Sequence, residues 1–355
     1  HGHCRTPMKT ELAPEELVIA NQRFILRDVT PADMNDVLTL HHQVFGSAAD
    51  AQWYDWKYVR GQGEGVGLWQ GGELVAFCGG TPRQVIYQGA QALFLQIGDV
   101  MVAPMWRGVF TRKSPFFYVS ERLYRSRLGQ GNPYAAGFGF PNQRHLRLAV
   151  KTGLSHDAGT VAGLQWLLND PSAAIKPGRS KAWWQSGWWQ AELLDPASPG
   201  FDAAVNHCWA QMRAAHGAEL VGVRDAPYLR WRFVERPDKQ YRFVAIRRAW
   251  RRRPVGIAVL GQPVTPAQAL PWLDWVGPQG FLNEAWAKSM QQARRDGAAG
   301  LTTWASPAME QALAHTQPHA LGTVAGVGVP VASTLSAAQV SSLNSWWTGG
   351  DTDFL

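Results

Sequence analysis

The sequence predicts a mixed α/β sandwich whose elements are written twice, and three observations carry that expectation. The segment DAQWYDWKYV at residues 50–59 returns as DAPYLRWRFV at 225–234, with the same order of acidic, aromatic, basic and branched positions. Asp99 in IGDVMV and Asp274 in WLDWVG each lie 43 residues beyond the tryptophan of their own copy, Trp56 or Trp231. The chain of 355 residues exceeds the roughly 250–300 at which a single core stops growing, so two domains are expected.

The elements of the first copy follow in order. RFILRD reads as a strand, and TPADMNDVLTLHHQVF reads as a helix opened by Thr30 with Pro31 in its first turn. A second helix holds the repeated motif, and strands follow through Val66 to Val102, with a turn at Gln70 to Glu73. A long amphipathic helix is expected from about Phe110 to Leu128, on the spacing of Phe117, Leu123 and Tyr124. YAAGFGF is a strand, and QRHLRLAVK is a helix stopped at Gly153. These elements make a first domain over residues 22–168. A segment rich in Pro, Gly, Ser and Trp over 169–200 reads as a linker, and a second domain over 201–355 opens at FDAAVNHCWAQM. It repeats the plan through the helix FLNEAWAKSMQQARRDG and the strand GLTTWAS.

Composition narrows the function. Hydrophobic residues at 46% and charged residues at 17% describe a well-buried globular chain, to which 18 tryptophans add rigid aromatic area. No apolar run reaches a membrane span, no signal segment is visible, and HGHCRTP before Met8 is read as a leader, so the expectation is a cytoplasmic protein without a membrane partner. Cys4, Cys78 and Cys208 have no pairing pattern and read as reduced thiols. The net charge is +7, and the densest basic cluster, RRAWRRRP at 247–254, falls between YRFVAI and VGIAVL, where a hairpin turn belongs. That turn is either solvated or an anion-binding patch. No aromatic-interleaved RNA-binding strand accompanies it, so nucleic acid is not expected as a partner. His315 and His319 have metal-like spacing, but Pro318 breaks the helix that spacing needs, and no metal site is expected.

One stretch concentrates chemistry. In GDVMVAPMWRGVFTRK, residues 98–113, a strand ends at Pro104 and an Arg-Gly turn opens a helix. A helix start after glycine can hold a diphosphate on free N–H groups, with Arg107 or Arg112 adding charge; the alternative is an ordinary turn with solvated arginines.

At this stretch the chain resembles the GNAT superfamily of acyl-coenzyme A N-acyltransferases, whose fourth strand runs through D-V-x-V-x-P into an Arg-Gly turn and a long helix. GFPNQRHLRLAVKTGL at 139–154 is similar to the family's fifth strand and fourth helix, with Asn142, Leu146, Leu148, Lys151 and Gly153 in register. The resemblance covers residues 22–165. The doubled form, with the terminal WWTGGDTDFL, is similar to two-domain members in which a degenerate second copy packs against the first.

The resemblance implies a mostly antiparallel central sheet flanked by helices, duplicated in tandem, and an acyl-CoA cosubstrate, acetyl-CoA foremost. The pantetheine arm would run along Met101, Val102 and Ala103. The diphosphate would sit on Arg107, Gly108, Val109, Phe110, Thr111 and Arg112, with Asn142 completing the cofactor set. The acceptor would be a small-molecule or peptide amine, which must lose a proton before attack. Asp99 is the leading base, against a structural role that the matching Asp274 favours. His145 is an alternative acid or base, and Asp351 and Asp353 are further candidates if a C-terminal strand carries them into the cleft.

Two departures from the pattern stand out: Val109 and Phe110 follow Gly108 where a second glycine is usual, and Ala149 stands where a tyrosine acid is common. Copy two lacks the cradle, since GPQGFLNEAW has no arginine and carries Glu284, so one coenzyme site per chain is expected, with Trp272 and Trp275 either core or lining an acceptor groove. Two other functions remain open: a non-catalytic binding module, and transfer from an aminoacyl-tRNA donor.

Overall fold

A computed structural model describes residues 12–46, 49–108, 113–168, 188–262, 265 and 268–352. In chain order the elements are β1 (Glu15–Ile19), β2 (Gln22–Asp28), α1 (Met34–Phe45), α2 (Ala51–Tyr54), β3 (Glu64–Gln70), β4 (Glu73–Tyr87), β5 (Ala90–Val102), α3 (Pro115–Arg127), β6 (Ala136–Gly139), α4 (Gln143–Lys151) and β7 (Ser155–Leu167). There follow β8 (Trp189–Leu194), α5 (Phe201–Ala215), β9 (Leu220–Gly222), α6 (Ala226–Leu229), β10 (Arg242–Arg248), β11 (Gly256–Leu260), β12 (Leu270–Val276) and α7 (Leu282–Arg295). The chain closes with β13 (Gly300–Ala305), α8 (Pro307–Leu313), β14 (His319–Pro330), α9 (Ala337–Ser341) and β15 (Ser345–Trp346).

Two compact units form, and they interleave along the chain. The first comprises the described residues up to Val85, with 90–159 and 326–343; the second comprises 86–89, 160–325 and the described residues from 344 onward. The end of β14 therefore belongs to the first unit and its beginning to the second. Within the segment expected to be a linker, residues 189–194 form strand β8, which pairs antiparallel with β10.

The first unit's sheet runs β1–β2–β3–β4–β5–β6, then the end of β14 and the start of β7. Its β2–β3 and β3–β4 ladders are antiparallel, whereas β5 and β6 pair in parallel. Local chemistry sets the joints. Thr30 receives no helix of its own but opens a short 3-10 turn, where its N–H and Oγ1 both donate to Asp33 Oδ2 at 2.8 and 2.9 Å. Arg27 forks onto the same carboxylate at 2.8 Å on each oxygen and, ahead of the Thr30 contacts, holds Asp33 down to about 2. The β3–β4 hairpin turns on Gly71 and Gly72, at φ +59 and +88, which is why two glycines stand there. Phe24, Val37, Trp56, Leu68, Phe77, Leu95, Leu123 and Phe138 fill the core.

The second unit's sheet follows β7–β13–β12–β11–β10–β8, again antiparallel except for the parallel pair β12–β13. Its core packs Phe201, Trp209, Phe243, Ile257, Trp272, Trp275 and Leu301. Trp272 and Trp275 are thus core residues and line no groove, their ring nitrogens donating to the carbonyls of Asp274 and Pro278. RRAWRRRP occupies the β10–β11 turn as expected. No helix among the described residues is long and apolar enough to cross a membrane.

The fold makes one pH-dependent prediction. His216 lies against Trp346 in the second unit, and burial, followed by the Arg224 charge, lowers it from 6.5 to about 4. Between these values the unfolded chain binds a proton that the folded chain refuses, so stability falls as pH falls through that window and levels below it. Urea unfolding is expected to show this decline, and His216→Asn is expected to flatten it.

Candidate functional site

The site of the first unit is built where two parallel strands part. The β5–β6 ladder runs from Phe94↔Ala136 to Ile97↔Gly139 and stops there. Two residues further along β5, Asp99 takes φ +52, a left-handed conformation that a non-glycine strand residue adopts only at a cost, of order 1–3 kcal/mol. Its carboxylate is almost fully buried and meets two groups on one oxygen: Lys57 Nζ at 2.5 Å and Tyr58 Oη, donating, at 2.6 Å.

The repeated motif explains how those partners arrive. Asp50 caps α2 by accepting from Trp53 N at 3.0 Å, and the helix continues as a wide π-turn over Asp55–Arg60. Trp56 is wholly buried and anchors that turn, so Lys57 follows it into the interior. Tyr58 is held between Tyr54 and Phe77, with ring centroids at 5.0 and 5.8 Å. Helices that widen this way are frequent at functional sites.

The second unit repeats the device with different partners. Asp225 accepts from Tyr228 N at 3.0 Å, a π-turn follows over Arg230–Val234, and Asp274 lies two residues past the last β12–β13 pair, Trp272↔Thr303. Arg232 stands where Lys57 does, but it donates to the carbonyls of Gly350 and Thr352. Arg224 supplies the cation to Asp274 instead, at 2.9 Å.

The same arginine corrects one expectation. Asp351 lies in a 3-10 turn of the second unit, not on a C-terminal strand, and its carboxylate meets Arg224 Nη2 at 2.5 Å and Thr348 N at 3.0 Å. A fully buried guanidinium needs counter-charge, and the two carboxylates supply it: burial alone would lower the Arg224 pKa, yet Asp274 and Asp351 raise it. Asp353 lies outside the described residues.

The expected cofactor residues are found as follows. Met101 is buried, Ala103 N donates to Val75 O at 2.8 Å, and Val102 O accepts from Arg107 Nε at 2.9 Å. Gly108 takes φ +80, which its missing side chain permits. Val109, Phe110, Thr111 and Arg112 lie outside the described residues. The helix expected from about Phe110 begins instead at Pro115, with Ser114 as its cap accepting from Phe117 N at 3.4 Å. Proline has no N–H and Ser114 takes another donor, so two of the first-turn groups that could face a diphosphate are already absent or satisfied.

Asn142 caps α4, accepting from His145 N at 2.9 Å, and its amide lies 3.3 Å from His145 Nδ1. The protein around the His145 ring, then the charges of Arg144 and Arg107, lowers its pKa. Arg107, Asn142 and His145 therefore share one neighbourhood at the parted strands, while Asp99 lies deeper. Ala149, where a tyrosine acid is common, is buried. A shallow depression of about 330 Å³ lies on α4 between Leu146, Arg147, Val150, Lys151 and Asp157, and none of the expected site residues lines it.

Lys57 and Tyr58 are the functional candidates that sequence reasoning missed. Their signal was the repeat itself, which placed a cation and an aromatic side by side in each copy without indicating that one would reach residue 99. Replacing Asp99 by Asn leaves Lys57 without its counter-ion and is expected to cost about 3–5 kcal/mol in urea unfolding. Adding Lys57→Met is expected to restore much of that loss.

Known proteins share the fold. Residues 26–114 match the acetyltransferase (GNAT) domain family. No curated protein matches the chain in sequence. A probable N-acyltransferase of Enterococcus faecalis superposes with a TM-score of 0.62 at 11% identity, covering 87% of this chain and 72% of its own. A GCN5-related N-acetyltransferase from Anabaena variabilis gives 0.63 at 15%, covering 88% and 73%, and one from Kribbella flavida gives 0.54 at 17%, covering 86% and 70%. The family match, which reaches through β5, and the architecture shared with these structures lead to one assignment: residues 26–114 match the acetyltransferase (GNAT) domain family and the chain has a GNAT-like mixed α/β fold.

Proposed function

We propose that the chain is an acyl-coenzyme A dependent N-acyltransferase, with acetyl-CoA as the first donor to try and a primary amine of a small molecule or peptide as acceptor. The observation that carries this reading is the loss of β6 from β5 beyond Ile97, next to the strained Asp99. Backbone amides and carbonyls left without a strand partner suit the amide-bearing pantetheine arm, which can add to a sheet edge as a strand does. Arg107 supplies charge for the diphosphate, and within the described residues that role rests on its side chain more than on the α3 amides.

When bound, the donor presents a thioester carbonyl; the amine nitrogen bonds to that carbon, the C–S bond breaks, and the thiol leaves as the amine sheds its proton. A nearby N–H directed at the developing oxyanion is typically worth about 3–4 kcal/mol. His145 is assigned the proton. Its lowered pKa keeps the imidazole neutral at neutral pH, and it stands at the mouth of the parted strands. Asp99 is assigned a positioning role, since protonating it would strip Lys57 of its counter-ion in a closed site. It orients Tyr58. The first unit carries the site, in a domain arrangement read as tandem, and the second carries none.

Calorimetry with acetyl-CoA is expected to show binding that Arg107→Glu abolishes. Folded protein that fails to bind at about millimolar ligand, the weakest affinity worth measuring, removes the proposal. Thiol release with amine acceptors is expected to depend on His145, with His145→Gln lowering kcat by about 10²–10⁴. In wild type, kcat/KM is expected to rise with pH through a group titrating below 6.5, the ordinary histidine value, and that limb should vanish in the variant. The same assay separates a second reading, a binding module without chemistry, which the paired Asp99 favours: coenzyme would bind and no thiol would appear with any amine.

A further inference from the structure

The basic turn between β10 and β11 has a setting that its local sequence conceals. Strand β8 lies against β10 with Trp189 opposite Arg248 and Gln190 opposite Arg247, and Ala249 N donates to Trp188 O at 2.8 Å. Two tryptophans from a segment some sixty residues upstream are thereby laid beside the arginines. Trp188 and Trp250 are 47% and 58% exposed and meet edge to face at 5.6 Å. The Arg248 guanidinium stands 5.4 Å from the Trp189 ring and 5.9 Å from that of Trp250.

Trp189 also lines a pocket of about 280 Å³ whose other walls include Gln190, Glu192, Arg247, Lys288 and Arg295. Three cations and one carboxylate, Glu192, share that lining; Glu192 lies 3.4 Å from Arg247, and Lys288 Nζ donates to Gln291 Oε1 at 3.5 Å. Burial, followed by the charge of Arg295, lowers the Lys288 pKa. Arg251, Arg252 and Arg253 are exposed and have no carboxylate partner among the described residues.

We propose that this edge of the second unit binds single-stranded nucleic acid, with backbone phosphates in the pocket of Arg247, Lys288 and Arg295 and bases stacked on Trp188 and Trp250. Exposed indoles beside arginines offer both elements that single strands need, a π-face for bases and cations for the backbone. A solvated basic turn explains the arginines but not the large exposed indole of Trp250 held beside Arg248. A protein partner of acidic character would need the cations only. The surface is independent of the acyl-transfer reading, since none of its residues belongs to the site in the first unit.

The test uses the full chain and a fluorescein-labelled oligouridine of about 12 nucleotides, within the length range that single-strand sites span. Anisotropy is expected to report saturable binding that weakens about tenfold or more between 50 and 200 mM salt, as a few phosphate contacts require. Binding is expected to quench tryptophan fluorescence. Arg247→Glu with Arg295→Glu should weaken binding by about tenfold or more, whereas Trp188→Ala with Trp250→Ala should weaken it and remove the quench. Circular dichroism melts matching wild type establish that these variants fold. No binding at low salt overturns the proposal. So does equal affinity for inorganic polyphosphate with no quench, which would mark the surface as an anion site only, and so does binding that neither variant pair changes.

Discussion

A carboxylate set just beyond the point where two parallel strands part is the constraint around which each unit of this protein is arranged. A sheet that opens exposes backbone groups and leaves the side chain at the opening half committed to the interior. In the first unit that side chain is Asp99, on a left-handed kink, and in the second it is Asp274. Neither can be buried alone, because an unpaired carboxylate in such surroundings costs several kcal/mol. Each unit therefore brings a cation from around its repeated motif: Lys57 from the π-turn after α2, and Arg224 from the loop just before α6.

The two solutions differ in what they leave available. Asp99 shares one oxygen between Lys57 and Tyr58, and Arg107, Asn142 and His145 gather near the opening. Asp274 is closed in on all sides by Arg224, Thr348 and Asp351, and Gly350 approaches it so closely that a Cβ there would lie 2.8 Å from its oxygen. The second unit has spent its opening on stability. That contrast is the physical ground on which the proposed chemistry is placed in the first unit, and the proposed nucleic-acid surface lies at the outer edge of the second.

Much of the architecture was legible locally. The Gly71–Gly72 turn, the Thr30–Pro31 opening and the Gly153 helix stop follow from short-range chemistry that acts over a few residues, and the structure shows each of them. The start of α3 was legible too, since Ser114 and Pro115 spell a helix cap and first turn, but the Arg-Gly pair upstream drew the boundary too early. Of the site, the strand carrying Asp99 and the helix carrying His145 were readable from pattern and resemblance. The kink at Asp99 was not, because no residue type announces a left-handed aspartate.

Sequence by itself determined the alternation of strands and helices, the repetition of the capped motif and the spacing of the two aspartates, because periodicity and capping are properties of neighbouring residues. Tertiary structure decided the partners. Arg224 and Asp351 are 127 residues apart, Trp188 meets Trp250 across a strand pair, and the end of β14 joins a unit whose other strands were made at the opposite end of the chain. Such choices depend on which buried charge finds its counter-charge and which sheet edge finds its next strand, and those are settled only when the whole core closes.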